Sequence, residues 1–573
     1  MPPYGAKADG VTDDTAAIQR ALDQNIGGIV YLPKGRYKIT DRLSWPTPQR
    51  DITLWGESMA ETVLVLGDET AGYSDPAKPK AMIWTGVKPA QRFKNYIRNL
   101  TLDTGKDNPG AIGVQFIANN SGAIRDVIIR AGSAGGPIGL DLGYTDEQGP
   151  CLVRNVTVIG FDVGVSARTS VDSITIEGLH LERQRQYGLV NSGQVISIRS
   201  LTSRNSVTAI QNSGTALLTL IDSTLTGIDT GAAPAIVNSK PAALLVRNTT
   251  TPGYEHAIHN DSGSGESAAG PMVQEFTAYP VLSLFPSATR TLGLPIQEPP
   301  GVSWGDPADW VSVTAFGATP DDKSFDSTEA FQKAIDSGAA TVFVPKGTFY
   351  IQSAVHLRGK LERIIGLGQR AEVRGAGKLH VDDGDPPGVT VEAIAGTGSG
   401  VVHNSSRTLV LRDMALQALG GSGIYENTGG GDLFLEDVVG QRWRFANGQH
   451  VWARQLNTEA ADTRIVNDGG TLWILGLKCE RGSTLIHTKN GGRTELLGGF
   501  VYTTTIPGET PMFVTEDSSV SLTIRETSFR NPPAPFNPVV LERRGDEVRQ
   551  LRKETTPTVT GGSLLNLYVG APD

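Results

Sequence analysis

The sequence predicts an all-β fold, built as two tandem right-handed parallel β-helices, each with an N-terminal capping helix. Three observations carry this. First, the stretch Val451 to Tyr502 repeats on itself. Trp452 recurs as Trp473 and Glu459 as Glu480 at an offset of 21, while Gly469-Gly470 recurs as Gly491-Gly492 and Gly476 as Gly498 at an offset of 22. That period is too short for a helix pair and suits one coil of a β-solenoid. Second, the motif Tyr4 to Ile39 returns at Phe316 to Ile351. Asp13, Gln19 and Asp23 map to Asp326, Gln332 and Asp336 at an offset of 313, and Pro33-Lys34-Gly35 maps to Pro345-Lys346-Gly347 at 312. Third, 68 of the 573 residues are Gly, only 6% are aromatic, and Val, Ile, Thr and Leu fill short runs. Such a composition suits many short strands joined by tight turns.

Within each copy of the motif the elements follow in order. Asp13 and Asp14 precede an amphipathic run, Ala16 to Leu22, which reads as a short helix with an acidic N-cap. Ile29 to Leu32 is a strand, Pro33-Lys34-Gly35 a turn, and Tyr37 to Ile39 a second strand. A helix over the open end of a solenoid hides its apolar core and unpaired edge, so two such motifs imply two solenoids. Capping accounts for Asp13, Asp14 and Asp326, and no chemistry is assigned to them. A chain of this length exceeds one ordinary core. The expected domains are 1–273, a linker at 274–311 rich in Pro, Ser and Leu, and 312–573.

The first solenoid is expected from about Ile52 to Val273. Its clearest repeat begins at Ile174, Ile196 and Leu218, at successive offsets of 22, with one more strand at Leu244. The same offset places Gln184 above Ser206 and Arg183 above Asn205, a polar stripe. Asn191-Ser192-Gly193 and Asn212-Ser213-Gly214 read as turns. Trp304 and Trp310 of the linker read as packing residues. In the second solenoid strands are expected to begin near Leu409, Leu433, Val451, Leu472, Thr494 and Val520.

Coils of a parallel solenoid stack about 4.8 Å apart. Glu459 and Glu480 should therefore lie one above the other. Two carboxylates so placed cannot both ionise cheaply, and one should keep its proton. A carboxylic acid held protonated is what general-acid catalysis needs. The alternative is a ladder of like residues, solvated or paired with Arg481.

The motif GAKADGVTDDTAAIQRAL followed by VYLPKGRY resembles the opening motif of the pectate-lyase-like parallel β-helix superfamily. Two copies, with WARQLNTE, NDGGTLWILGLKCE and GGRTELLGG in the second half, resemble glycoside hydrolase family 55. The resemblance implies an exo-acting, inverting β-1,3-glucanase with its site between two β-helices and Glu480 as general acid. Glu459 would raise the pKa of Glu480, since the pair is too close for an inverting acid and base. Gln184 and Ser206 match the family's water site in spacing and would orient water. Trp443, Trp452, Tyr187 and Tyr502 offer flat faces for a pyranose ring. Glu495, opposite Trp473 in mid-strand, reads as a wall residue, and Arg183 as a polar contact to substrate.

Other classes are disfavoured. The net charge is -9 and no basic patch stands out, which argues against nucleic acid as partner. No apolar run is long enough to span a membrane. The two cysteines, Cys151 and Cys479, read as free buried thiols or one bridge, with free thiols expected since a large solenoid needs no staple. The eight His show no HxxEH or HxH spacing, and no phosphate loop is present, so neither metal nor cofactor is expected. A monomer acting on a polysaccharide fits best. No signal peptide precedes the first motif: either the protein is cytoplasmic or a signal has been removed, and the expected location is extracellular. Two rivals remain: a polysaccharide lyase on the same fold, and a non-catalytic carbohydrate-binding or tailspike-like β-helix. A lyase needs a base and clustered Asp for Ca²⁺, and the Glu pair would repel a uronate. A tailspike usually carries one solenoid rather than two.

Overall fold

The periodicity of the sequence becomes hydrogen-bond register. Leu409, Leu433, Val451, Leu472, Thr494 and Val520 are successive partners in one parallel ladder of the computed structural model. Ile174, Ile196, Leu218 and Leu244 form another. The structure describes all residues except 1–3, 47–50, 89–91, 147, 169–172, 303, 367–369, 417–423, 447, 560 and 572–573. The chain divides into two units, Met1–Pro280 and Val281–Asp573. The first winds round a 14-stranded and a 9-stranded sheet. The second has sheets of 12 and 10 strands and a short pair. Each unit encloses its own apolar core.

The long strands are not simple alternations. Strand Thr471–Glu480 sends Leu472 and Ile474 into the core, then Leu477 and Cys479. The phase slips by one at Gly476, whose φ is 78°. The same left-handed step falls on Asp413, Asp437, Gln455 and Gly498 in neighbouring coils, and on Asn99, Asp126, Asn155, Gly178, Asp222 and Asn248 in the first unit. Gly, Asn and Asp tolerate that conformation best, which explains the residues found there. In the first unit a buried amide ladder adds to the stacking. Asn191, Asn212, Asn238 and Asn260 donate each to the next at 3.0, 2.7 and 2.7 Å.

Both ends of each stack are closed. Helix α1, Thr15–Gln24, buries Ala17, Ile18, Ala21 and Leu22 over the first coil. Helix α2, Thr328–Asp336, does so with Ala330, Phe331, Ala334 and Ile335. Asp13 and Asp326 each accept from the Thr two residues on, at the helix start. Asp14 is buried and accepts the N–H groups of Lys7 and Ala8. These acids are structural. At the far ends the last coils pair antiparallel with Met272–Thr277 and with Gly562–Gly570. Covering an edge in this way removes a row of unpaired backbone groups.

In the second unit the segment 291–302 lies as a strap over the outer face of the larger sheet. Leu292 N–H donates to Ser521, Gly293 N–H to Glu495, Trp452 Nε1 to the Pro295 carbonyl, and Arg454 to the Gln297 carbonyl. Arg363 stacks on Trp304, 4.3 Å from the ring centre, and Trp310 donates to the Trp304 carbonyl. Both cysteines are free and buried, and burial pushes the Cys479 thiol up to about 12. Among the described residues no helix is long and apolar enough to cross a membrane.

Candidate active site

Beyond the left-handed step, three adjacent strands of the larger sheet of the second unit bring polar side chains together. Asn457 and Lys478 are ladder partners, as are Glu480 and Tyr502. Thr458 pairs with Cys479, so Glu459 and Glu480 follow as the next residues of their coils. The predicted stacking of the two glutamates is thus present in the register.

Lys478 lies between them. Its Nζ donates to Glu459 Oε1 at 2.7 Å and to Glu480 Oε1 at 2.5 Å. The ammonium is only 1% exposed, whereas each carboxylate is 24% exposed. Tyr502 hydroxyl donates to the same Glu480 oxygen, and its ring lies 5.0 Å from Lys478 Nζ. Asn457 donates to Glu459 Oε1 at 3.1 Å. Arg464, buried, donates to the backbone carbonyls of Glu480 and Ser483 and pins the turn that follows the strand.

This corrects the expectation that the glutamate stack keeps Glu480 protonated. Burial does push the carboxyl up. The Lys478 ammonium, the Tyr502 hydroxyl and a hydrogen bond with the Glu459 carboxyl outweigh it and hold Glu480 below its ordinary value in the free protein.

The rim of the cluster is aromatic. Phe529, 52% exposed, lies 5.0 Å from the Tyr502 ring at 51°, and Phe500 packs behind Tyr502 at 5.8 Å. Alternation along the strand already places Lys478 on the outward face with Glu480. Its insertion between two coils is a tertiary fact. Phe529 lies outside the repeat that drew attention to this region.

Four other predicted site residues have structural roles instead. Trp443 is 1% exposed and packs against Tyr425 and Phe445 in the core. Trp452 is stacked on Phe434, with ring centres 4.8 Å apart, and lies under the strap. Glu495 is buried and holds the strap through Gly293. Gln184 is 2% exposed and turned inward. Its amide donates to the carbonyls of Val158 and Glu182, both at 3.0 Å, so it is not placed to hold a reacting water. Ser206 is exposed in the bend after Asn205, and Tyr187 is half-buried at the start of strand Tyr187–Ser192.

Arg183 is exposed and left-handed, with φ 60°. It lines a cavity of about 600 Å³ in the first unit, with Arg36, Lys106, Arg130, Asp68 and Asp103. Asp103 and Arg130 are ladder partners and bond to each other at 2.9 Å. The cavity's four cations come from four coils, and single cations spread so widely in sequence give no local signal.

The chain belongs to the family described as rhamnogalacturonase A/epimerase, pectate lyase-like, whose match covers residues 3–233 and 310–385, just over half of the sequence. It is similar to mannuronan C5-epimerase AlgE5 of Azotobacter vinelandii, 34% identical over 141 residues, which is 22% of this chain and 13% of that protein. It is also similar to a glucan 1,3-beta-glucosidase of Cochliobolus carbonum, 31% identical over 136 residues, 23% of this chain and 16% of that one. The matched part is thus a small fraction of either relative. Among solved structures, the catalytic unit of a GH87 alpha-1,3-glucanase from Streptomyces thermodiastaticus strain HF3-3 aligns over 99% of this chain and 68% of that one, with 10% identity and a TM-score of 0.26.

Proposed function

We propose that the protein is a glycoside hydrolase acting on a neutral β-glucan, exo-acting on β-1,3 linkages with inversion, as in glycoside hydrolase family 55. The observation that carries the reading is the cluster of Glu459, Lys478, Glu480 and Tyr502 at the open strand ends of the second unit. The named activity of the Cochliobolus relative agrees with it. Phe529 and Tyr502 form the sugar platform.

Glu480 is the general acid. It is charged in the free protein and must gain a proton when substrate binds. A glucan lying over the cluster excludes water from a carboxyl whose burial already pushes it up, and so raises it further. Glu459 and Glu480 share one ammonium, which bonds to an oxygen of each at 2.7 and 2.5 Å. That brings them closer than the roughly 6.5–9.5 Å of an inverting acid and base. Glu459 therefore positions Lys478, and another group activates the water.

A second reading is favoured by the basic cavity of the first unit. Arg36, Lys106, Arg130 and Arg183 around one hollow suit an anionic uronate, and the Azotobacter relatives are named as mannuronan epimerases. One experiment separates the two. Full-length protein is incubated with laminarin, lichenan, pustulan and alginate, and products are followed by reducing sugar, ultraviolet absorbance and proton NMR. Glucose released from the end of laminarin is expected. Unsaturated or epimerised uronate from alginate, with no glucan cleavage, would replace the first reading by the second.

A further inference from the structure

We infer that the second unit carries a divalent transition-metal site, formed by His356, His380 and Asp382 beneath helix α2, with Zn²⁺ as the best-fitting cation. The ligand atoms of the three side chains all lie within 4.8 Å of one another. His356 and His380 are ladder partners on adjacent coils, and their rings are 5.2 Å apart. Asp382 lies two residues beyond His380, on the same face of strand Leu379–Gly384. Two imidazoles and a carboxylate make a three-ligand set with a fourth position open to water, which is common for zinc.

His380 is half-buried on strand Leu379–Gly384. Among the described residues His380 makes no hydrogen bond through its ring, while His356 Nδ1 and Asp382 Oδ2 are hydrogen-bonded at 2.6 Å. A cation with bonds of about 2.0–2.1 Å would separate that pair to somewhat over 3 Å and take the place of their hydrogen bond. The neighbouring guanidinium groups are engaged elsewhere: Arg358 is held by Asp336 through bonds of 2.9 and 2.8 Å, and Arg407 donates to backbone carbonyls, that of Asp382 among them.

The duplicated cap supplies an internal control. In both units a Gln of the cap helix clamps the backbone of the residue concerned: Gln332 bonds the N–H and carbonyl of His356, and Gln19 those of Ser44. The ladder partner of Ser44 is Trp84, stacked under Arg42 at 4.6 Å. Capping therefore needs no histidine at either position. The two histidines are extra to the fold, and they are the pair that meets Asp382. A cation there ties the first two coils of the second unit together under their cap. His356 stands a full turn of the solenoid from His380 and Asp382, so no local spacing in the sequence brings the three together.

The test uses tag-free, full-length protein and the metal alone. Calorimetric titration with Zn²⁺ should give one tight site per chain, and Co²⁺ should give the visible spectrum of a tetrahedral ion. His380→Ala and Asp382→Asn should each weaken binding about 100-fold and abolish that spectrum, with circular dichroism unchanged. His256→Ala, at an exposed histidine elsewhere, should leave both intact. Absence of stoichiometric binding, or equal affinity in wild type, His380→Ala and Asp382→Asn, would overturn the assignment.

Discussion

Two strands, one in each unit, share a Gly-Leu step and a final Glu at the same positions and end in different chemistry. Ser173–Glu182 reads SITIEGLHLE, and Thr471–Glu480 reads TLWILGLKCE. Both turn at a left-handed Gly, Gly178 and Gly476, and both are followed by a left-handed Arg, Arg183 and Arg481. Both send two alternate apolar residues into the core before the step, Ile174 and Ile176 or Leu472 and Ile474, and two more after it. Their surroundings then diverge. Glu182 has Ile159 and Arg204 as ladder partners, with the His180 ring at 3.6 Å and the Arg183 guanidinium at 3.7 Å. Glu480 has Tyr502 beside it, Lys478 in place of the histidine, and Glu459 on the preceding coil. A glutamate at a strand end is thus a position that the solenoid offers repeatedly. It becomes a candidate acid where adjacent coils bring a second carboxylate and a buried ammonium to it.

Lys478→Met breaks the difference most severely. The two carboxylates then face each other with no cation between them. The expected cost is about 2 kcal/mol at neutral pH, below the roughly 3–5 of a fully buried pair because both carboxylates still meet water. Since Glu480 is held below its ordinary 4.5 in the folded protein, its contribution is complete above that value and is lost as pH falls through the folded-state value. The stability gap between wild type and Lys478→Met should therefore be full at neutral pH and narrow toward about pH 3. Urea midpoints at both pH values measure it, and equal midpoints at neutral pH would remove Lys478 from the account.

Tyr502→Phe sharpens the comparison by a smaller step. It deletes one hydrogen bond to Glu480, worth about 1 kcal/mol, and leaves Lys478 in place. One of the groups that lower Glu480 is lost, so its pKa rises. The alkaline limb of kcat/KM on a glucan should move to higher pH. A shift to lower pH would mean that the limb does not report Glu480.

Much of the fold is legible in the sequence because a solenoid turns sequence offset into spatial register. Trp452 over Trp473, Leu472 beside Thr494, and the two cap motifs all follow from counting residues. Side-chain direction is legible only within a run of unbroken alternation. Gln184 follows the left-handed Arg183, which resets that alternation, and the side chain turns inward instead of toward solvent. Trp452 has the pattern of an outward aromatic, and it does point outward. Its partner is Pro295, far earlier in a Pro-rich segment with no period, so its cover has no local signal. The site divides in the same way. The glutamate stack is a matter of offset, whereas the charge state of Glu480 depends on how deeply Lys478 is buried between two coils.

The central claim is that chemistry resides at Glu480 and not at its counterpart Glu182. Glu480→Gln and Glu182→Gln, each checked by circular dichroism for an intact fold, are compared with wild type for glucose release from laminarin. Glu480→Gln should lose about 10³-fold or more in kcat, in line with removal of a general acid, and Glu182→Gln should stay within about twofold of wild type, since surface changes away from a site cost little. Wild-type turnover in Glu480→Gln, or a loss in Glu182→Gln as large as the one expected at Glu480, would contradict the account.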